Sequence, residues 1–112
     1  TLIGEVQGRD VVLVDDELDT GGSMAQAIKL VKQNGARDVY VVIVHPLLSA
    51  NAPQLLGSLP IKQIITTDTI PISEEKASYF GDRLKVLTVS PLLGEVILRA
   101  NEGRSVGEMF NE

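Results

Sequence analysis

Four short apolar runs, each followed by room for a helix, constrain this chain more than any other feature. Residues 11–14 (VVLV), 39–44 (VYVVIV), 62–66 and 85–89 are rich in β-branched side chains and bounded by turn residues, the pattern of short strands. The first is a continuous apolar run and is expected to be buried on both faces of a sheet. Between the first two, Met24, Ala27, Ile28 and Val31 fall on one helical face, and Gly35 stands where a glycine closes a helix. Ser49 is expected to cap a short helix reaching about Gly57, with Pro53 in or near its first turn. Ser90 and Pro91 supply a cap and an N1 proline before Leu92, Leu93, Val96, Ile97 and Ala100, a stripe read as packing. Ser105 and Glu108 have capping-box spacing and predict a last short helix ending at Phe110. Strands alternating with helices imply parallel pairing through right-handed crossovers. The predicted class is α/β, a partial doubly wound parallel sheet of about four strands with flanking helices and no internal boundary.

Composition narrows the function classes. A chain of 112 residues is one domain or less and buries roughly 65% of its unfolded surface. A net charge of −5, with no basic run, argues against a phosphate-backbone binder, so no nucleic-acid partner is expected. With no cysteine there is no disulfide framework and no thiolate metal site. No 18-residue apolar stretch and no charged-then-apolar leader occur, so no membrane span is expected and the cytoplasm is the default location. The chain opens at Thr1 rather than a methionine, and is expected to continue upstream.

The chemistry concentrates in VVLVDDELDTGGS, residues 11–23. Ligands of open parallel sheets bind beyond the carboxyl ends of the strands, and Asp15 and Asp16 stand at such an end. Behind them, Asp19, Thr20, Gly21, Gly22 and Ser23 form the turn that opens the next helix. Two glycines allow a tight backbone and remove side chains that would obstruct a ligand. The free N–H groups and the dipole of a helix start favour an anion, and Thr20 and Ser23 add hydroxyl donors. The cradle suits a phosphate, while the carboxylates suit sugar hydroxyls or a hydrated cation. A sugar phosphate accompanied by Mg²⁺ satisfies both. The plainer role, with Asp19 or Thr20 serving only as a helix N-cap, fits the same residues. Neither G-x-x-x-x-G-K-[ST] nor G-x-G-x-x-G is present, which disfavours the common nucleotide cradles.

The stretch VLVDDELDTGGS resembles the phosphoribosyl-pyrophosphate (PRPP) binding motif of the type I phosphoribosyltransferase fold. That fold is shared by phosphoribosyltransferases and ribose-phosphate pyrophosphokinases. The flanks NGARDVYVVIVHPLLSANA, TTDTIPISEEK and LKVLTVSPLLGEVILRANEGRSVGEMF look like the C-terminal part of the pyrophosphokinases. The resemblance implies transfer of pyrophosphate from Mg-ATP to ribose 5-phosphate, forming PRPP for nucleotide biosynthesis. It implies that Asp15 and Asp16 hold the ribose hydroxyls with Mg²⁺ nearby, and that Asp19, Thr20, Gly21, Gly22 and Ser23 clasp the 5-phosphate. It further implies a homo-oligomer, and a regulatory site to which Ser105 and Phe110 would contribute; Gly107 stands where relatives often carry serine. None of the ten Lys and Arg residues lies inside the motif. The ATP-binding domain and mobile basic loop of such enzymes precede the segment matched here. A C-terminal portion that binds ribose 5-phosphate weakly and is inactive alone is therefore expected. The alternatives are a phosphoribosyltransferase that uses PRPP and a non-catalytic regulatory relative.

Two further residues sit at strand ends. His45 reads as a strand-end histidine in a His-Pro turn, and Asp68 in TTDTIP reads first as a turn residue with a ligand role as the alternative. Truncation of a wound sheet would also leave an apolar edge near residues 11–14, so self-association or cover by a partner is expected.

Overall fold

In the computed structural model, which describes residues 1–110, four parallel strands form one sheet in the order β1-β2-β3-β4. They are β1 (Val11–Leu18), β2 (Val39–Pro46), β3 (Gln63–Thr67) and β4 (Leu84–Leu87). Helices α1 (Gly22–Gln33), α2 (Ala52–Gly57) and α3 (Glu74–Ser78) occupy the successive crossovers, and α4 (Ser90–Glu102) follows the last strand. The predicted class and strand number are those observed.

The core lies on one face of the sheet. Val39, Val41 and Ile43 alternate inward from β2 and, with Ile64 of β3, meet Ile28 and Val31 of α1 and Leu56 of α2. Burying each of the large aliphatic side chains contributes about 1.5–3 kcal/mol. The opposite face is open. Val12 and Val14 of β1 are 57% and 70% exposed, Val44 of β2 is exposed, and Val42 and Ile65 are half-buried in register with Val14. The expectation that residues 11–14 are buried on both faces is therefore corrected. An apolar run signals two covered faces only when the chain provides both covers, and here α1 covers one face of an edge strand.

Strand β1 is also longer than its apolar run. Its pairing with β2 continues through Asp15–Ile43, Glu17–His45 and Leu18–Pro46, because backbone bonds, unlike side-chain burial, are indifferent to charge. Upstream, Gly8 and Arg9 pair with the turn before β2: Gly8 N–H donates to Gly35 O and Arg37 N–H to Arg9 O. The Arg37 guanidinium clasps both oxygens of Asp10 at 2.8 and 2.9 Å. That hydrogen bond from Arg37 holds the Asp10 carboxyl at about 2, below its ordinary 3.8.

Helix α2 begins at Ala52 with Asn51, not Ser49, at its cap and Pro53 in its first turn. The Ser49 N–H is occupied elsewhere, donating to Asp19 O at 2.9 Å. Helix α3 is absent from the sequence expectations. Ser73 caps it by accepting from Lys76 N–H, and the Ser-Glu-Glu start was its only signal. Helix α4 begins at Ser90, one residue earlier than expected, so that Val89 and not Ser90 is its cap. Its stripe does not pack: Leu92, Leu93, Ile97 and Ala100 are exposed, Val96 is half-buried, and no residue of the helix is buried. This corrects the reading of that stripe as packing, since an amphipathic pattern records a need for cover without supplying the cover. The helix closes on Gly103 in the left-handed region, and Arg99 ties the following segment by donating to Ser105 O at 2.8 Å.

Candidate ligand cleft at the end of the first strand

The end of β1 and the start of α1 enclose a cleft of about 190 Å³, lined by Asp15, Glu17, Leu18 and Asp19 and by the turn from Thr20 to Met24. Strand alternation decides which acids face it. Asp15 and Glu17 line the cleft, and Asp16, between them, does not. Asp16 N–H instead donates to Asp15 Oδ1 at 2.8 Å. Six of the seven residues expected at the site are thus brought together, and Asp16 is set apart. Glu17 was missed, though a two-residue period counted from Asp15 would have found it.

The two glycines have different jobs. Gly21 is the helix N-cap at φ 83°, a left-handed conformation that disfavours any side chain, and a Cβ there would meet Leu56 Cδ1 at 3.4 Å. Gly22 is already helical, and a Cβ on it would meet nothing within 4 Å, so its bareness keeps the mouth open. With Gly21 as the cap, neither Asp19 nor Thr20 takes that role. No side-chain hydrogen bond reaches the cap. The first helical bond runs from Ala25 N–H to Gly21 O, which leaves the N–H groups of Gly22, Ser23 and Met24 without intrahelical acceptors. Three donors on a positive helix end, two hydroxyls and three carboxylates surround one small space.

Of the remaining candidates, His45 and Asp68 stand at the ends of the neighbouring strands β2 and β3, and Ser105 and Phe110 follow α4. His45 Nδ1 is 2.8 Å from Thr69 Oγ1, and Thr69 also donates to Val44 O, an arrangement that serves a strand-end turn. Asp68 Oδ1 accepts from Val89 N–H at 2.8 Å. Hydrogen bonds from the Thr88 hydroxyl and then from Val89 N–H hold the Asp68 carboxyl below its ordinary range. Asp68 therefore fastens the entry to α4. Ser105 Oγ accepts from Glu108 N–H at 3.4 Å, opening a 3-10 turn over Gly107–Phe110, and the Phe110 ring is exposed. Glu108 turns its carboxylate to Arg99, so only half of the predicted capping box forms.

Residues 1–111 match the family model described as the phosphoribosyl synthetase-associated domain. The chain belongs to that family. It is 43% identical over 109 residues to the ribose-phosphate pyrophosphokinase of Caldanaerobacter subterraneus, covering 97% of this chain and 34% of that protein. It is 40% identical over 110 residues to the ribose-phosphate pyrophosphokinase of Haemophilus influenzae, covering 98% and 34% respectively. The crystal structure of phosphoribosylpyrophosphate synthetase from Mycobacterium smegmatis superposes with a TM-score of 0.84 at 39% identity, over 90% of this chain and 33% of that one. The chain spans about one third of the length of these relatives. Among its described residues, no helix is long and apolar enough to cross a membrane.

Proposed function

We propose that this chain is the C-terminal portion of the phosphoribosyltransferase-like domain of a ribose-phosphate pyrophosphokinase, and that its cleft holds ribose 5-phosphate. The observation that carries the reading is the convergence of Asp15 and the Asp19–Ser23 turn on one cleft, within a family whose named relatives are ribose-phosphate pyrophosphokinases. The N–H groups of Gly22, Ser23 and Met24 grip the 5-phosphate, assisted by the Thr20 and Ser23 hydroxyls. Asp15 and Glu17 accept hydrogen bonds from the ribose hydroxyls and fix the ring relative to the anchored phosphate. Asp16 stays outside this shell and acts on the geometry of Asp15 through its N–H.

Electrostatics demands one more component. The cleft is lined by three acids and no Lys or Arg, so a phosphate dianion enters against like charge. Mg²⁺ fits this set, because it takes one or two protein carboxylates and completes its octahedron with water and substrate oxygens. Among the described residues no three acidic or His side chains converge to cage an ion alone, in keeping with a cation that arrives with its substrate. Asp15 is the residue to hold it, with Glu17 or Asp19 beside it; the ion supplies neutralisation of the oxygen charges. ATP, the pyrophosphate donor, and the cationic groups that stabilise transfer belong to the remaining two thirds of a relative-length enzyme. PRPP is the product, the setting is cytoplasmic, and the working form is a homo-oligomer in which the open sheet face and α4 are covered.

Titration of the ¹⁵N-labelled chain tests the reading. Ribose 5-phosphate with Mg²⁺ is expected to shift the amides of residues 19–24, Asp15→Ala to weaken binding at least tenfold, and EDTA to abolish it. Unmoved amides in that turn at millimolar ligand would overturn the assignment.

A further inference from the structure

We propose that residues 48–50 form a strap that holds the end of β1 in its ligand-binding shape, with Ala50 as a positioning residue. This rests on the reading of the 19–23 turn as an anion seat. Leu48 and Ala50 are the non-glycine residues with positive φ among those described, each at 51°. That backbone is costly for a residue with a Cβ, and such strain persists only where the surroundings enforce it.

The surroundings here lead directly to the cleft. Leu48 N–H donates to Leu18 O at 3.0 Å and Ser49 N–H to Asp19 O at 2.9 Å. The left-handed turn at Leu48 and again at Ala50 brackets Ser49, so both donors face the last carbonyls before Thr20. The Leu48 side chain is 1% exposed and anchors the strap in the core. From the other side, Lys76 Nζ of α3 donates to Leu47 O at 3.2 Å. Immediately after the strap, Ala52 and Leu56 pack beneath Gly21 at 3.4–3.5 Å from where a Cβ would stand. The seat is thus clamped at Leu18 and Asp19 by hydrogen bonds and at Gly21 by packing, all from one ten-residue stretch. Ala50 itself is exposed, so substitutions there change backbone preference with little loss of buried contact.

A four-variant series at Ala50 isolates the backbone. Gly and Asn tolerate the left-handed region, whereas Val and Ile resist it. The 112-residue chain is titrated with ribose 5-phosphate and Mg²⁺ at a temperature where each variant is fully folded by circular dichroism. Ala50→Gly and Ala50→Asn are expected to bind within twofold of wild type. Ala50→Val and Ala50→Ile are expected to bind at least fivefold more weakly and to shift the free-state amides of residues 18–22. Equal affinity across the series, with only the melting temperature changing, would overturn the positioning role while leaving the cleft assignment standing. Absence of binding by wild type would sink both together. Should Val and Ile prevent folding, hydrogen exchange of the wild-type chain decides, because coupling between seat and strap is reciprocal. Ligand is expected to slow exchange of the Leu48 and Ser49 amides more than that of Val41 and Ile43, which report global opening; equal slowing would overturn the proposal.

Discussion

The β1-α1-β2-α2 half of the molecule and its β4-α4 end are built from similar patterns and reach opposite states. In the first, Ile28, Val41 and Leu56 are essentially inaccessible and even the connecting loop contributes Leu48 to the core. In the second, Val86, Leu87, Leu92 and Ile97 remain in contact with water. Both α1 and α4 are amphipathic with an apolar stripe. They differ in their neighbours: α1 lies between β1 and β2 and is folded back onto them, whereas α4 follows β4 and, among the described residues, none covers its apolar stripe. Amphipathic pattern sets what a helix can bury, and topology sets whether it does.

This contrast can be broken most sharply by matched truncations. Ile28→Ala, in the buried half on α1, is expected to lower stability by about 2–5 kcal/mol. Ile97→Ala, 68% exposed on α4, is expected to change the stability of the dilute, dissociated chain by less than ~0.5 kcal/mol. Urea unfolding of the two variants measures both, and a similar loss at each site would mean that α4 is covered in solution by a second copy. Sedimentation then sharpens the same point. Wild type is expected to self-associate with rising concentration, and Leu93→Glu combined with Ile97→Glu to shift it toward monomer; a concentration-independent monomer in wild type would count against a sticky α4 and open face.

Next in size, Gly57→Ala tests the contact between the end of α2 and the residue that closes α3. A Cβ at Gly57 would lie 2.5 Å from Tyr79 O and 3.1 Å from Tyr79 C, which are backbone atoms that cannot rotate away. A loss of about 1–3 kcal/mol is expected, again by urea midpoint. The smallest effect is at the surface of the well-packed half. Because Arg37 depresses the Asp10 carboxyl from 3.8 to about 2, the pair stabilises the fold fully above pH 3.8. That contribution fades as pH falls toward 2. The difference in urea midpoint between wild type and Asp10→Asn is expected to shrink over that window and vanish below it; a difference constant from pH 5 to pH 2 would exclude the ionised pair as its source.

Much of this was legible in the residues themselves. Four strands, their parallel connection and the helices α1 and α4 follow from β-branched runs and helical spacing, and the turn that lines the cleft follows from acids and glycines behind a strand. What escaped has physical causes. The open side of β1 was hidden because Val12 and Val14 look identical to core residues until the layer meant for them is sought. Glu17 was overlooked because charge suggested that the strand had ended, although its ladder runs on to Leu18. The strap was hidden most deeply. Left-handed backbone is expected at glycine, and here Leu48 and Ala50 adopt it, so the position carries no compositional mark.

One consequence of the strap concerns how loss-of-function variants should be interpreted. Its bonds to the first strand end on the carbonyls of Leu18 and Asp19, groups that every amino acid carries. Exchanging Asp19 for asparagine or alanine therefore removes a carboxylate and leaves the scaffold's grip intact. Where the cleft holds a sugar phosphate and its cation as proposed, defects from such exchanges report on that recognition, uncontaminated by collapse of the loop that presents it.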